Sequence, residues 1–122
     1  MKRALIVDDD KCVRQFMVIW LEHFGKFDII DSAFDGEEAL SMFEEGKYCV
    51  VILDIALSVM TGVDVCIKMR EIDKNVRIVA LTGYSNIVES CDLSIAGFDA
   101  VYLKPDGFKT LINDLEKDCF GT

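Results

Sequence analysis

Proline, histidine and tryptophan occur once each in this chain of 122 residues, and positive charge is scarce. Thirteen lysines and arginines face 22 aspartates and glutamates, a formal net charge of −9. Such an acidic surface is ill suited to a nucleic-acid phosphate backbone or an anionic membrane. No unbroken apolar run exceeds six residues, as in "FMVIWL" from Phe16 to Leu21, which is too short to span a bilayer, and no basic stretch followed by an apolar one opens the chain. The five cysteines, Cys12, Cys49, Cys66, Cys91 and Cys119, form no Cys-x-x-Cys pair, and a lone histidine leaves a structural zinc site short of ligands. Dispersed thiols in odd number fit buried, reduced cysteines. The expectation is a soluble, cytoplasmic protein with neither nucleic acid nor membrane as a direct partner.

What is present alternates in period. "RALIVD" is a short continuous apolar run, the mark of a strand covered on both faces. Val13, Phe16, Met17, Trp20, Leu21 and Phe24 then repeat at the spacing of one helix face, and Gly25 stops that helix. "FDIIDSAF" reads as a more polar, edge-type strand. In "DGEEALSMFEEG" the pair Asp35 and Glu38 has capping-box spacing, with Gly46 as the helix end. "YCVVILD" is the most apolar strand and hence central. "TGVDVCIKMREI", "NVRIVALT", "NIVESCDLSIAG", "DAVYLK" and "FKTLINDLEKDCF" continue as helix, strand, helix, strand and helix. Five strands alternating with five helices imply an α/β fold, a doubly wound parallel sheet with helices on both faces. For five strands the flavodoxin-like order 2-1-3-4-5 is favoured, residues 1–122 forming one domain.

That order gives the acidic residues a place to meet. In open α/β sheets ligands bind beyond the carboxyl ends of the strands where strand order reverses, here between strands one and three. Strand one ends in Asp8 and Asp9, strand three in Asp54, strand four in Thr82 and strand five in Lys104. Asp10 would cap the first helix. Mg²⁺ takes one or two carboxylates, waters and a phosphate oxygen, and a carboxylate can attack phosphorus to form an aspartyl phosphate. Phosphoryl transfer then needs positioning and charge neutralisation, for which a lysine and a hydroxyl are at hand. The lone His23 sits in the first helix and reads as a surface residue. On that helix Lys11, Arg14, Gln15, Val18 and Glu22 share an outer face, with Val18 an apolar residue among charges.

The sequence resembles the receiver domains of two-component response regulators over nearly its whole length. "VDDD" carries the family's acidic pair as Asp8 and Asp9, and "VVILDIALSVMTG" its phosphorylated aspartate as Asp54. "LTG" carries the switch hydroxyl as Thr82, and "LKP" the lysine and proline as Lys104 and Pro105. The resemblance implies that Asp9, Asp54 and the Ala56 carbonyl bind Mg²⁺, with Asp8 acting largely through water. Asp54 would take a phosphoryl group from a histidine kinase or phosphotransferase, contacted by Lys104 and Thr82. It also implies a cis Lys104–Pro105 peptide, signalling through a downstream protein, and a monomer or phosphorylation-dependent dimer rather than a turnover enzyme. Ala56 and Tyr84 would flank the path of the hydrolytic water; neither orients it, so self-dephosphorylation should be slow.

The departures are specific. Leu57 and Ser58 replace the usual Met-Pro, Thr61 a usual Asp or Asn, and Asp106 a usual phenylalanine. The aromatic switch position holds Val101, and Tyr102 one residue on should face the other side of the strand. An alternative is a Mg²⁺ phosphatase of the haloacid-dehalogenase type, with Asp8 as nucleophile and Asp10 as its partner. Against it, Cys12 stands where that motif has Thr or Val.

Overall fold

A segment such as Val50–Leu53, apolar and buried at every position, is stable only as a strand covered on both faces, and helices in the connections provide the cover. The computed structural model describes residues 1–57, 60–83, 96–104 and 106–120. In chain order the elements are β1 (Arg3–Val7), α1 (Lys11–Phe24), β2 (Ile29–Ala33), α2 (Gly36–Met42), β3 (Val50–Leu53), α3 (Gly62–Ile72), β4 (Arg77–Thr82), β5 (Ala100–Leu103) and α4 (Gly107–Phe120). The strands form one parallel sheet in the order β2-β1-β3-β4-β5, as expected. The helix expected in "NIVESCDLSIAG" falls almost wholly outside the described residues. Among the described residues no helix is long and apolar enough to cross a membrane.

Strand alternation divides the core into two layers. Leu5, Val7, Val51, Leu53, Ile78 and Ala80 pack toward α2 and α3 with Val65, Cys66 and Met69. Ala4, Ile6, Val50, Ile52, Val79 and Leu81 pack the other way, against Met17, Leu21, Phe108, Leu111 and Leu115 of α1 and α4. β5 obeys the same rule, with Val101 in the first layer and Tyr102 in the second. Capping also follows the sequence: Asp10 accepts the Cys12 and Val13 N–H groups, and Gly25 closes α1 at φ 73°.

Four expectations need correction. α2 stops at Met42 rather than at Gly46, because Phe43 turns into the core and stacks on Tyr48 with ring centroids 6.2 Å apart. Phe16, placed on the core stripe of α1, is 45% exposed, while Ile19, outside that stripe, is 54% exposed. Val18 is half-buried against the core, so Ile19 is the apolar residue presented on the outer side. The cysteines are not uniformly buried: Cys66 is, Cys49 is intermediate and Cys12 is exposed, all three as free thiols.

Two polar clamps hold the end of the sheet remote from Asp54. Arg70 of α3 donates to the carbonyls of Gly97 and Val76 and to Asp99 Oδ2, which also accepts the Ile78 N–H. Asp73, buried just after α3, accepts from Gly46 N–H with one carboxylate oxygen and from Asn75 and Val76 N–H with the other. The Gly46 bond holds the Asp73 carboxyl below its ordinary value against the opposing effect of burial, and the Asn75 and Val76 bonds add to it.

Asp73→Ala should therefore cost about 1–3 kcal/mol at neutral pH, since the buried Val76 N–H loses its acceptor and the Gly46 and Asn75 N–H groups lose theirs at the edge of the core. Because the native carboxyl is the stronger acid, its contribution is present above the ordinary value of 3.8 and is lost as pH falls through the lower native value. Urea melts of both proteins at pH 7 and below pH 4 check this; equal stability at pH 7 would remove Asp73 from the role.

Candidate functional site

The parallel ladder continues past the ends of β1 and β3, which sets the first two carboxylates side by side. Asp8 N–H bonds the Ala33 carbonyl at 3.2 Å, and Asp54 N–H bonds the Val7 carbonyl at 2.9 Å. Carboxylate oxygens of Asp8, Asp9 and Asp54 all lie within 4.8 Å of one another. Asp8 and Asp54 are buried, Asp9 is exposed. Asp10 is not one of this group, since its carboxylate is occupied with the first turn of α1.

One cation answers these charges. Lys104, after β5, places Nζ 2.7 Å from Asp8 Oδ2 and 3.4 Å from Asp54 Oδ2. The second oxygen of each carboxylate takes a backbone donor: Asp10 N–H to Asp8 at 2.9 Å, and Ala56 N–H to Asp54 at 3.1 Å. Burial pushes the Asp54 carboxyl up, and the Asp8 charge adds to this; the Lys104 ammonium and the Ala56 N–H oppose. Burial alone would lower the Lys104 ammonium, but the Asp8 hydrogen bond and the charges of Asp54 and Asp8 outweigh it, and it rises.

The residues border an open groove of about 490 Å³, lined by Asp8, Asp9, Asp10, Val13, Asp54, Ala56, Gly83 and Lys104. Its donors are oxygens of hard, anionic type, the set suited to an Mg²⁺-like ion that keeps several waters. Ala56 borders the groove, and its side chain has no polar atom to orient a water. Thr82 is fully buried at the end of β4, next to Gly83, which borders the groove. It shares the strand side of Ala80, which packs toward α2 and α3. Tyr84 and Pro105, and with Pro105 the expected cis peptide, lie outside the described residues. Val101 and Tyr102 stand on opposite sides of β5 as expected, and Tyr102 donates its hydroxyl to Asp114 Oδ2 at 2.5 Å.

Three positions carry more than the sequence reading assigned. Arg14 Nη1 donates to the Asp8 carbonyl at 2.8 Å, bracing the end of β1 from α1. Its spacing from Asp10, one helical turn, was the available signal. Gly83 borders the groove beside Thr82. Gly62 has the strictest requirement: a Cβ there would fall 2.3 Å from the Asp54 carbonyl oxygen and 2.7 Å from Ile55 Cα. Its N–H bonds the Ile55 carbonyl at 2.9 Å, so α3 begins pressed against the backbone that carries Asp54. The phosphatase alternative loses its second carboxylate, because Asp10 is spent as a helix cap and Asp8 is closed by Lys104.

Against known proteins, residues 4–116 match the family described as response regulator receiver domain. The response regulator receiver protein CpdR of Brucella abortus is 29% identical over 121 residues, 96% of each chain. A probable transcriptional regulator, ycf27 of Guillardia theta, is 34% identical over 110 residues, but this chain spans only 42% of its length. The response regulator TrrA of Thermotoga maritima, solved with Mg²⁺ and beryllofluoride, superposes with a TM-score of 0.83 at 34% identity, over 96% of this chain and 98% of that one. TrrA in complex with the histidine kinase ThkA gives a TM-score of 0.82 at 36% identity, over 96% and 97% of the two chains.

Gly62→Ala should cost about 1–3 kcal/mol by overpacking, because the atom it would strike is backbone and cannot swing aside. Thermal melts report the loss. An alanine variant with unchanged stability would show that α3 is free to draw back from Asp54.

Proposed function

The chain belongs to the response regulator receiver domain family, and from that membership we propose that Asp54 is its phosphoacceptor. The family's members are regulators that accept a phosphoryl group, not turnover enzymes, and the same reading takes residues 1–122 as one such domain. The observation that carries the assignment is the position of Asp54: buried, beside Asp8 and Asp9, with Lys104 Nζ 3.4 Å from one oxygen and the Ala56 N–H on the other. Asp8 holds Lys104 more tightly and is the poorer candidate for a free nucleophile.

In the proposed step an Asp54 oxygen attacks phosphorus as the bond from phosphorus to the donor's histidine nitrogen breaks, and the bonding pair returns to the imidazole. Asp9, Asp54 and the Ala56 carbonyl would hold Mg²⁺, with Asp8 acting through water. The ion, when bound, supplies positive charge to the carboxylates and the transferring oxygens. Lys104 moves its ammonium toward the phosphoryl oxygens, and Thr82 would offer its hydroxyl from the end of β4. The donor is a histidine kinase or phosphotransferase, as the TrrA complex with ThkA supports. A groove along α1 beside the site, lined by Lys11, Arg14, Gln15, Val18, Ile19 and Ser32, gives the donor a mixed basic and apolar approach.

Treatment with acetyl phosphate and Mg²⁺ should add one phosphoryl mass to the protein, mapped to Asp54, and chelation of the metal should prevent it. Asp54→Asn should remove the label, since an amide is not a carboxylate nucleophile; undiminished labelling of that variant would sink the assignment.

The methyl of Ala56 leaves the attacking water unguided, which supports a long-lived aspartyl phosphate. Ala56→Asn should speed phosphate release from the labelled protein, and a tenfold gain needs only ~1.4 kcal/mol off the barrier. A release rate no faster than wild type would rule out unguided water as the cause.

A further inference from the structure

We propose that this chain displays the state of Asp54 at an aromatic cluster between α1 and α4, by a mechanical path through Lys104, Tyr102 and Gly107. The inference rests on Asp54 being the phosphoacceptor. The path starts at Lys104, between partners Asp8 and Asp54 whose combined charge differs between the two states. Lys104 now favours Asp8, at 2.7 Å against 3.4 Å for Asp54. A phosphoryl group on Asp54 brings roughly two negative charges and three strong acceptors to the lysine's weaker side. The two states of the site therefore differ in where the ammonium is held, which is the differential interaction a conformational shift requires.

From Lys104 the path has little slack. Lys104 and Tyr102 are two residues apart on β5 and its end, hence on the same side of the strand. That side faces α1 and α4. A Cβ at Gly107 would lie 2.8 Å from Tyr102 Cβ and 3.2 Å from its carbonyl carbon, so the first turn of α4 rests directly on Tyr102. About two turns further along α4, Asp114 accepts the Tyr102 hydroxyl at 2.5 Å. Strand and helix are tied at two points, and a displacement of one carries the other.

The next residue after Gly107 delivers the displacement. Phe108 packs edge-on to Phe16 at 5.2 Å and against Trp20 at 5.7 Å, and Phe16 and Trp20 are themselves 5.7 Å apart. Phe16 is 45% exposed, so the arrangement of this cluster is legible from outside. The opposite side of β5 offers Val101 and Leu103, which have no ring to reorient and no polar atom to switch. The one-residue placement of the aromatic selects the α1–α4 side.

Trp20 is the only tryptophan, so its emission reads the cluster without interference. Mg²⁺ with beryllofluoride, a phosphoryl mimic, should shift Trp20 emission in the wild-type protein, beyond any effect of Mg²⁺ alone. Tyr102→Phe keeps the ring and removes the tie to Asp114. It should cut the shift by about half or more while ¹⁹F NMR still shows bound beryllofluoride. Asp114→Asn serves as the second variant and should weaken the shift in the same direction. An unshifted Trp20 in wild-type protein with beryllofluoride bound overturns the path, as does a full shift in both variants. Absence of a bound fluorine signal in the wild type overturns the Asp54 reading itself, and the path with it.

Discussion

The contact between Lys104 and the carboxylates of Asp8 and Asp54 is the constraint around which this molecule is arranged. Two buried carboxylates side by side repel each other, and removing them from water costs several kcal/mol per ion without compensation. The compensation comes from β5, which touches neither β1 nor β3 in the sheet. With adjacent strands about 4.7–4.9 Å apart, β5 stands roughly 9–10 Å from β3, across the end of β4. Lys104 crosses that gap only with the Asp54 side chain reaching toward it, their charged ends meeting at 3.4 Å. The site thus depends on the order of all five strands, although its acidic members sit on two neighbouring ones.

The backbone around Asp54 is organised to hold that carboxylate at the rim. Its N–H continues the ladder to β1, its side chain turns back on the Ala56 N–H, and its carbonyl lies under Gly62. Thr61 caps α3 by accepting the Asp64 N–H and so holds the helix start beside the site. At the far end of the sheet Arg70 and Asp73 satisfy loop N–H and carbonyl groups with charged side chains, and that rigid base leaves the rim as the place where partners can change.

β5 connects the rim to a surface. Its two sides meet different layers, and the residues found there, valine on one and tyrosine on the other, give the layers different mechanical properties. Valine transmits only by packing. Tyrosine adds a directional hydrogen bond to α4, and Gly107 removes the spacing that would absorb a small movement.

The order of the five strands and of the described helices, the caps at Asp10 and Asp35, the stop at Gly25 and the meeting of Asp8, Asp9 and Asp54 were all legible in the sequence. The reason is that period, capping and strand-end position are set by neighbours a few residues away. The opposite sides taken by Val101 and Tyr102 followed from the same alternation. Other features depended on groups far apart in the chain. Which carboxylate Lys104 would hold across a separation of 96 residues was decided by side-chain packing. The early end of α2 came from Phe43 finding Tyr48, and the exposure of Phe16 and Ile19 from how much of α1 the sheet and α4 could cover. The pattern of residues determined what each element was and which end of the sheet carried charge; only the packed chain decided which charges touched, because that choice is made by distances the sequence does not contain.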